Sequence, residues 1–322
     1  MSFAIVVLNY NDHENTKKYI ESVKDYNIID KIIVVDNNST TKDEIRILKE
    51  LESEKVEVLS AEKNGGYAYG NNLGLKYLEK IGNYEFVAIS NPDVFVDEET
   101  LEECLKYLKE HNKVAIVAPR MHFVSGPARR AAWKKRTPII DIANSTRLTE
   151  TILFPIFKKG EYSKKEYEIE DLKVDCIAGS FFVAKYDSLK KVNYLDEGTF
   201  LFYEEDILGE KLRRIGLEIH LLNNLKFMHY DSQTIGKLMN LFRKQDILFD
   251  SKIYYHKKYN NAKIAIVILR ILRYVRKFEL LFEVPIRKIV QAKNNKWLWI
   301  LLKLKILCYN DSNLGGKKCQ IF

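Results

Sequence analysis

Short apolar segments rich in β-branched residues alternate with amphipathic segments through roughly the first 120 residues of the chain. The apolar segments predict strands at Phe3–Leu8, Lys31–Val35, Val56–Leu59, Phe86–Ile89 and Val114–Val117, and the amphipathic segments predict helices at Thr16–Lys24, Lys42–Glu52, Asn72–Ile81 and Glu98–His111. This alternation builds βαβ units, whose right-handed crossovers place helices on both faces of a mostly parallel sheet. We therefore predict an α/β fold that binds its ligand at the carboxyl ends of the strands.

The rest of the chain divides into three parts. Residues 125–165 are basic, interrupted by prolines and poorly periodic, which indicates a long mobile loop or a partial helix. Regular structure returns at Val174–Val183, and a further helix is predicted at Glu204–Ile215. From Ile235 onward the pattern is helical, with Pro285 dividing two basic amphipathic stretches. The predicted organisation is a main α/β domain at residues 1–234 and a basic amphipathic helical extension at residues 235–322.

Positive charge is concentrated at the carboxyl end of the chain. The 322 residues have a formal net charge of +8, but residues 261–322 contain thirteen Lys or Arg and three Asp or Glu. This segment therefore carries +10 and the preceding residues carry −2. Its basic residues alternate with Ile, Leu, Val and Trp, whereas nucleic-acid-binding segments usually mix basic with polar and aromatic contact residues. We predict an anionic membrane surface as the partner and no nucleic-acid partner.

The two most apolar segments of this tail are Ile264–Leu269 and Trp297–Leu302. Each is too short to span a bilayer, which needs about twenty apolar residues. Flanking basic residues and paired tryptophans are typical of a helix lying in the membrane interface. Alternatively, the helices pack on the rest of the chain or form a homo-oligomer interface. Because the chain starts without signal-peptide features and its four cysteines are far apart, we predict a cytoplasmic protein, peripheral at the inner face of the membrane.

Polar residues directly follow three of the predicted strands. These are Asn9-Tyr10-Asn11 after the first, Asp36-Asn37-Asn38-Ser39 after the second and Asn91-Pro92-Asp93 after the fourth. The chain lacks a Gly-x-Gly-x-x-Gly turn after the first strand and a Walker-type Gly-Lys-Ser/Thr loop, which disfavours a dinucleotide site or an ordinary kinase. Asp, Asn and Tyr at strand ends suit a nucleoside base, a ribose and a divalent cation.

Five motifs in order carry a family resemblance: Asn9–Asn11, Val34–Ser39, Asn64–Gly74, Ser90–Val94 and Phe202–Asp206. They resemble the family 2 inverting glycosyltransferases, and within that family the bacterial rhamnosyltransferase-like members, over about residues 3–232. The resemblance implies a GT-A type fold, in which the main domain is catalytic and is followed by the helical extension. It also implies a nucleotide-sugar donor, of which dTDP-rhamnose is the most specific expectation.

The resemblance further implies a donor site that holds Mg²⁺ or Mn²⁺. Asp93 stands where the family has the metal-binding acid of its Asp-x-Asp motif, and Asn91 replaces the first acid. His229 resembles a late histidine that contacts the metal or the diphosphate, although a lone histidine is as often structural. The implied nucleotide-sugar contacts are Asn9, Tyr10, Asp36, Asn38, Gly65, Gly66, Asn71, Asn91, Asp93 and Arg120.

Each of these motifs also has a purely structural interpretation. Ser90–Asp93 could be only a turn after a buried strand, and Asp36–Ser39 could be a helix N-cap. The glycine run Asn64–Gly74 is expected to let the chain pass close to the donor, with Asn71 or Asn72 supplying an amide contact. Arg120, Arg129 and Arg130 could hold donor phosphates or an anionic acceptor, or could belong to a solvated basic loop.

The acidic cluster Glu204-Glu205-Asp206 resembles the motif that supplies the general base. Counting back from Arg213–Gly216 aligns Glu205 with the family's base, and a slip of one residue aligns Asp206 instead. In a single displacement, this carboxylate takes the acceptor's proton as its oxygen attacks the anomeric carbon. The structural alternative is an acidic first helical turn, which the helix dipole favours.

The resulting hypothesis is inverting transfer of a sugar to a hydroxyl of a lipid-linked or cell-surface glycan acceptor. A sugar nucleotidyltransferase shares the α/β layout, but it normally has a Gly-rich loop and a catalytic Arg or Lys after the first strand, which this chain lacks. A non-catalytic scaffold on the membrane surface would explain the basic tail. It would not explain acidic residues at three separate strand or helix ends.

Overall fold

The computed structural model describes residues 2–128, 130–153, 160–230 and 241–293. The chain forms two compact units, the first from residues 1–136 and 160–238 and the second from residues 137–159 and 239–322. The sequence placed residues 137–159 in the main domain, whereas the described residues 137–153 cluster with the carboxyl-terminal helices. The predicted boundary at residues 234–235 lies outside the described residues.

The described strands and helices are as follows. The strands are β1 Phe3–Asn9, β2 Lys31–Asp36, β3 Val56–Ser60, β4 Phe86–Ser90, β5 Val94–Phe95, β6 Val114–Phe123, β7 Gly126–Pro127, β8 Ala132–Trp133, β9 Asp171–Val174, β10 Cys176–Ile177, β11 Phe181–Lys185 and β12 Glu218–His229. The helices are α1 His13–Val23, α2 Glu44–Lys49, α3 Tyr67–Ile81, α4 Glu98–Glu110, α5 Pro138–Ala143, α6 Arg147–Leu153, α7 Tyr186–Lys191, α8 Glu204–Arg214, α9 Leu241–Tyr259 and α10 Lys263–Lys293.

The main sheet of the first unit has the strand order β3-β2-β1-β4-β11-β6-β12-β5. Strands β3, β2, β1 and β4 are parallel to one another, β11 runs antiparallel between β4 and β6, and β12 pairs parallel with β6. Strands β7 and β9 add to this sheet by antiparallel pairing with β6 and β12. The predicted mostly parallel α/β sheet is confirmed, and the carboxyl ends of its parallel strands lie along one edge.

The core of the first unit is built from the strands that the sequence predicts as buried. Residues 3–7 of β1 are fully buried, as expected for a parallel sheet covered on both faces. Helix α3 packs closely on β1: a Cβ added at Gly70 would lie 2.3 Å from Cδ1 of Leu8, and one at Gly74 would lie 2.6 Å from Cγ1 of Val6. Glycines in the Asn64–Gly74 run therefore serve helix–sheet packing.

The basic segment at residues 125–165 is more ordered than the sequence predicts. Its described residues include β7, β8, α5 and α6. Strand β8 pairs with β10, and α5 begins after Thr137, whose side chain caps the helix by accepting from the backbone N–H of Ile140. These short elements lack the periodicity of longer ones, so sequence patterns indicate them poorly.

In the second unit, one face of α10 packs against α9 and α5. Phe249, Leu269 and Leu272 form a small buried core, and the buried Arg276 pairs with Glu283 at 2.6 Å. Pro285 lies inside α10 and does not divide it, because one proline removes a single helical hydrogen bond without necessarily ending the helix. Residues 297–302, the second apolar segment, lie outside the described residues.

None of the helices in the described ranges is long and apolar enough to cross a membrane.

Candidate active site

Asn9 and Asp36 lie side by side at the ends of β1 and β2, and both are buried. The Asn9 amide donates to Asp36 Oδ1 at 3.1 Å, and Asn9 Oδ1 accepts from the Thr16 hydroxyl at 2.8 Å. The Asn9 side chain thus has internal partners, and its predicted donor contact stays a prediction. It holds the carboxylate of Asp36 at the sheet edge.

A second carboxylate, from Glu44 in the first turn of α2, approaches the same amide. Glu44 is buried, its Oε1 accepts from Asn9 Nδ2 at 3.1 Å, and its Oε2 lies 2.7 Å from His13 Nδ1. Helix α2 is preceded by Asp43, so Asp36–Ser39 is not the N-cap of this helix. Glu44 and His13 could not be identified from the sequence, because each is an ordinary residue of an amphipathic helix until the fold brings them together.

The loop before α3 is fixed to the end of β2 and to the backbone near Phe200. The Asn37 amide donates to the Gly66 carbonyl at 3.1 Å, and Phe200 O accepts from the Tyr67 N–H at 3.0 Å. Gly66 has φ of +92°, and a Cβ there would lie 2.0 Å from Phe200 O, so only glycine fits. The close approach that this glycine permits is to another loop of the protein.

The remaining predicted donor contacts lie around this loop. Tyr10 is partly buried after β1, and Asn38 is exposed with its amide donating to the Glu62 carbonyl at 3.0 Å. A Cβ at Gly65 would meet the Tyr69 side chain. Asn71 is buried on α3, where its Nδ2 donates to Tyr67 O at 3.0 Å while no described residue donates to its Oδ1. Their contacts with a donor stay predictions.

The two predicted metal ligands come together at the sheet edge. Asp93 follows β4, and His229 ends β12, where its partner in the pairing is Val94. His229 Nε2 lies 3.3 Å from Asp93 Oδ1, and the Asp93 carbonyl accepts from the Tyr230 N–H at 2.8 Å. Both side chains are largely buried. The lone histidine thus lies beside the one carboxylate of the Ser90–Val94 turn.

Asp93 and His229 suit a cation that obtains its remaining ligands from a bound phosphate compound and from water. Among the described residues there is no group of three or more His, Cys, Asp and Glu side chains able to hold a metal by themselves. Mg²⁺ is commonly bound by one or two carboxylates together with substrate phosphates and water. Asp93, with His229 beside it, provides that kind of incomplete donor set.

The acidic cluster lies in the first turn of α8, which follows two strained residues. Phe202 and Tyr203 have φ values of +72° and +74°, in the left-handed region that non-glycine residues rarely occupy. Such strain costs about 1–3 kcal/mol per residue and tends to occur at functional sites. The strained turn directs Glu204, Glu205 and Asp206 into three different environments.

Glu205 is partly exposed and contacts the backbone of the β10–β11 connection. Its Oε1 accepts from the Gly179 N–H at 3.1 Å, and a Cβ at Gly179 would lie 2.6 Å from that oxygen. Burial and the charge of Asp206 raise the pKa of Glu205 to about 7, although the Gly179 N–H and the charge of Arg130 favour the ionised form. A carboxyl group with a pKa near neutrality can exchange a proton at physiological pH.

Asp206 is buried within a hydrogen-bonded cluster. Its Oδ1 accepts from the Trp133 indole N–H at 2.9 Å and lies 3.7 Å from Arg136 Nε. The thiol of Cys176 is 3.8 Å from the same oxygen. These contacts hold the β8–β10 pair against the start of α8.

Glu204 is buried, and its Oε1 has no hydrogen-bond partner among the described residues. Burial and the neighbouring charge of Glu205 raise the pKa of Glu204 well above its usual value. Of the three acidic residues, Glu205 alone is partly exposed.

Two adjacent backbone residues connect Glu205 with the Asn91–Asp93 turn. Gly179 donates to the Glu205 carboxylate, and the carbonyl of the next residue, Ser180, accepts from the Asn91 N–H at 2.8 Å. The Gly179 carbonyl also accepts from the Tyr67 hydroxyl at 2.5 Å. The connection therefore joins the acidic helix, the turn with Asp93 and the glycine loop. No motif in the sequence marks Gly179 for this role.

Arg120 lies apart from these contacts. Its guanidinium donates to the Tyr167 carbonyl at 3.0 Å and to Asn223 Oδ1 at 3.2 Å, and it stacks on the Tyr167 ring. These contacts give Arg120 a structural role, and its predicted phosphate contact stays a prediction. Arg130 stacks on Trp133, and burial together with the charge of Arg136 lowers its pKa to about 10. Arg129 lies outside the described residues.

The raised pKa of Glu205 predicts how stability varies with pH. The folded protein keeps this proton up to about pH 7, whereas the unfolded chain loses it near 4.5. The stabilising contribution is therefore complete below pH 4.5 and is lost as pH rises through about 7. Glu205→Gln cannot ionise, so its melting temperature should exceed that of the wild type by about 3–6 °C at about pH 8 and match it at about pH 5.

Thermal unfolding of both proteins at the two pH values measures this difference. Glu62→Gln, a change in an exposed glutamate, provides the control and should show no pH-dependent difference. An equal effect of Glu205→Gln at both pH values would contradict a raised pKa for Glu205.

Comparison with known families gives one match over most of the first unit. The model of the family described as "Glycosyl transferase family 2" matches residues 4–193. The match includes Asp36, the glycine loop and Asp93. It ends before the Glu204–Asp206 cluster and His229, so those residues rest on the structure and on the motif resemblance.

Two curated proteins are similar in sequence. The low-salt glycan biosynthesis hexosyltransferase Agl10 of Haloferax volcanii is 25% identical over 217 residues, covering 67% of this chain and 63% of that protein. The rhamnosyltransferase WbbL of Escherichia coli K12 is 23% identical over 241 residues, covering 70% of this chain and 82% of that protein. The similarity to Agl10 thus spans less than two thirds of that relative's length.

A solved structure has the same fold. The mannosyltransferase PcManGT from Pyrobaculum calidifontis, in complex with GDP-Man and Mn²⁺, matches with a TM-score of 0.54 and 12% sequence identity. The match covers 97% of this chain and 81% of that chain. At this level of identity the likeness concerns the fold alone.

Proposed function

Because the chain belongs to glycosyl transferase family 2, whose model matches residues 4–193, we propose that it transfers a sugar from a nucleotide-diphosphate donor to an acceptor hydroxyl. The similar proteins support this reaction class, since one is named a hexosyltransferase and another a rhamnosyltransferase. In this chain, the observation that carries the proposal is the Gly179-Ser180 connection between Glu205 and the Asn91–Asp93 turn. It joins a carboxyl group with a near-neutral pKa to the candidate metal site.

In the proposed complex, the donor nucleoside lies at the ends of β1 and β2. Asp36, held by Asn9 and Ser39, accepts hydrogen bonds from the base or the ribose. Tyr10 packs against the base. The buried Oδ1 of Asn71, which has no partner among the described residues, adds an acceptor near the glycine loop. These assignments follow the family resemblance and the positions of the residues at one edge of the sheet.

The donor diphosphate is proposed to lie against Asp93 and His229, which would hold Mg²⁺ or Mn²⁺. The solved mannosyltransferase, which contains GDP-Man and Mn²⁺, supports a divalent cation here. When bound, such a cation neutralises negative charge on the diphosphate leaving group.

The proposed reaction is a single displacement with inversion at the anomeric carbon. The acceptor oxygen forms a bond to the anomeric carbon while the bond from that carbon to the diphosphate oxygen breaks. Glu205 takes the proton of the acceptor hydroxyl, and the electron pair of the broken bond leaves on the nucleoside diphosphate. The Gly179 N–H fixes one oxygen of Glu205 in position for this transfer.

The narrower features of the substrate are proposals from resemblance. The acceptor is proposed to be a lipid-linked or cell-surface glycan, and the sugar to be rhamnose from dTDP-rhamnose. The rhamnose proposal is based on the Asn91–Val94 motif and on the similarity to WbbL. No contact in the structure distinguishes one sugar from another.

The reaction can be tested by incubating the full chain with Mn²⁺ or Mg²⁺ and a panel of nucleotide sugars. We expect release of nucleoside diphosphate from one donor, slow without acceptor and abolished by a chelator. In a parallel incubation with a nucleoside triphosphate and a sugar phosphate, a nucleotidyltransferase would instead release pyrophosphate. A non-catalytic scaffold would release neither product. Either of the last two results would refute the proposed transfer.

A further inference from the structure

Helix α10 has a second apolar face, opposite to the face that packs in the second unit. Its members recur at intervals of three and four residues and are 55–79% exposed: Ile264, Val267, Ile271, Tyr274, Phe278, Leu281 and Phe282. Residues at this spacing lie on one side of a helix. We call these seven residues the outer stripe. Contiguous apolar surface of this kind on a folded protein usually marks a binding surface.

The outer stripe is exposed although the helix itself is firmly held. Leu269, Leu272 and Leu280 on the opposite face are buried, and the buried Arg276 donates to Glu283 at 2.6 Å. Arg147 of α6 also pairs with Glu283. The stripe is therefore a fixed surface of a packed helix, presented in a defined orientation.

Helix α6 of the second unit extends this apolar surface. Leu148 and Ile152 lie one helical turn apart on α6 and are both more than half exposed. The start of α6 is held beside α10, because Glu279 accepts from the backbone N–H groups of Arg147 and Leu148 at 3.0 and 3.1 Å.

The charges of α10 are distributed unevenly around the stripe. Lys263 and Arg270 are exposed, whereas Arg273 and Lys277 on the same helix pair with Asp250 and Asp246 of α9. The two acidic residues of α10, Glu279 and Glu283, both pair with Arg276 on the packed side. Lys263 and Arg270 therefore place positive charge beside the stripe.

We propose that the outer stripe docks the protein on an anionic lipid surface, with its apolar side chains inserted shallowly among the headgroups. Basic residues beside an exposed apolar helix face are the combination that binds such interfaces. Packing against a second copy would suit the three-and-four spacing equally well. It would, however, give the exposed Lys263 and Arg270 no acidic partner on α10, whereas lipid phosphates supply negative charge for both.

Flotation of the full chain with vesicles tests this proposal, without any donor or acceptor. The wild type should bind vesicles that contain about 30% phosphatidylglycerol, bind weakly to pure phosphatidylcholine, and lose most of its binding at about 0.5 M salt. Ile271→Asp should reduce the bound fraction by about fivefold or more. Val124→Asp is the control, at a highly exposed valine of the first unit. It also replaces a β-branched apolar side chain with a negative charge, and it should bind vesicles as the wild type does.

Failure of the wild type to bind anionic vesicles, or an equal loss in both variants, would overturn the proposal. Sedimentation of the same proteins in solution tests the alternative. A dimeric wild type that Ile271→Asp converts to a monomer, with no flotation by either, would assign the stripe to a second copy and also overturn lipid docking. Because binding is measured without sugar transfer, a negative result here leaves the proposed reaction unaffected.

Discussion

Glu205→Gln should lower the turnover of sugar transfer by about a hundredfold or more and leave donor affinity near the wild-type value, because general base catalysis typically contributes that much. Glutamine keeps the size of the side chain and an oxygen that can accept from the Gly179 N–H, but it cannot take a proton. Steady-state kinetics give the rate, and calorimetric titration with donor gives the affinity. In the wild type, turnover should rise with pH to a plateau above about 7, since the deprotonated form is active.

Asp206→Asn is the matched control for the position of the base. Asp206 accepts from Trp133 and lies beside Arg136. This change should therefore mainly lower the melting temperature, with a much smaller effect on turnover than Glu205→Gln has. A hundredfold loss in a well-folded Asp206→Asn protein, with Glu205→Gln near normal, would show that the base is Asp206. A pH profile without a rise near 7 would contradict the assignment of Glu205 independently.

The sheet could be predicted from the sequence because burial on both faces requires continuous apolar strands. Phe3–Leu8 and Lys31–Val35 are such strands, and the polar residues that follow them must then lie together at one edge. The proximity of Asp93 and His229 depends on a long-range pairing, between β5 and the end of β12. Motif order alone suggested this pair, and the strand pairing explains it.

Contacts between residues with no motif of their own could not be predicted. Glu44 reaches Asn9 only because α2 begins beside the ends of β1 and β2, and Gly179 reaches Glu205 only through the β10–β11 connection. Each of these residues is common in its local context. Their significance lies in three-dimensional position, which periodicity does not encode.

The carboxyl-terminal helices show a different limit of sequence patterns. Apolar residues occur on two faces of α10, and the sequence does not show which face is packed. The structure shows that Leu269 and Leu272 are buried while Ile271 and Phe278 are exposed. The alternative of a packed helix therefore describes the buried face of α10. The predicted membrane contact concerns the opposite, exposed face, and the lipid partner stays a proposal.

Asp93→Ala should reduce turnover by about a thousandfold or more, since a metal ion supplies several kcal/mol of charge stabilisation and each 1.36 kcal/mol changes the rate about tenfold. Donor binding should weaken in the presence of Mn²⁺ and change little in its absence, because Asp93 is proposed to contact the donor through the cation. The fold should be retained, since this side chain follows β4 at the sheet edge and is not part of the apolar core. Calorimetric titration of donor, with and without Mn²⁺, measures the metal-dependent part directly.

Asp97→Ala provides the matched control, four residues further along the chain. The Asp97 side chain caps α4 by accepting from the Thr100 N–H at 2.8 Å, and loss of such a cap costs about 1 kcal/mol of stability. This variant should melt at a lower temperature and keep its turnover and its Mn²⁺-dependent donor binding. If Asp93→Ala behaved like Asp97→Ala, losing stability but not metal-dependent binding, then Asp93 would be a residue of the turn alone. His229→Ala should resemble Asp93→Ala in its dependence on Mn²⁺ if the two side chains, 3.3 Å apart, share one cation.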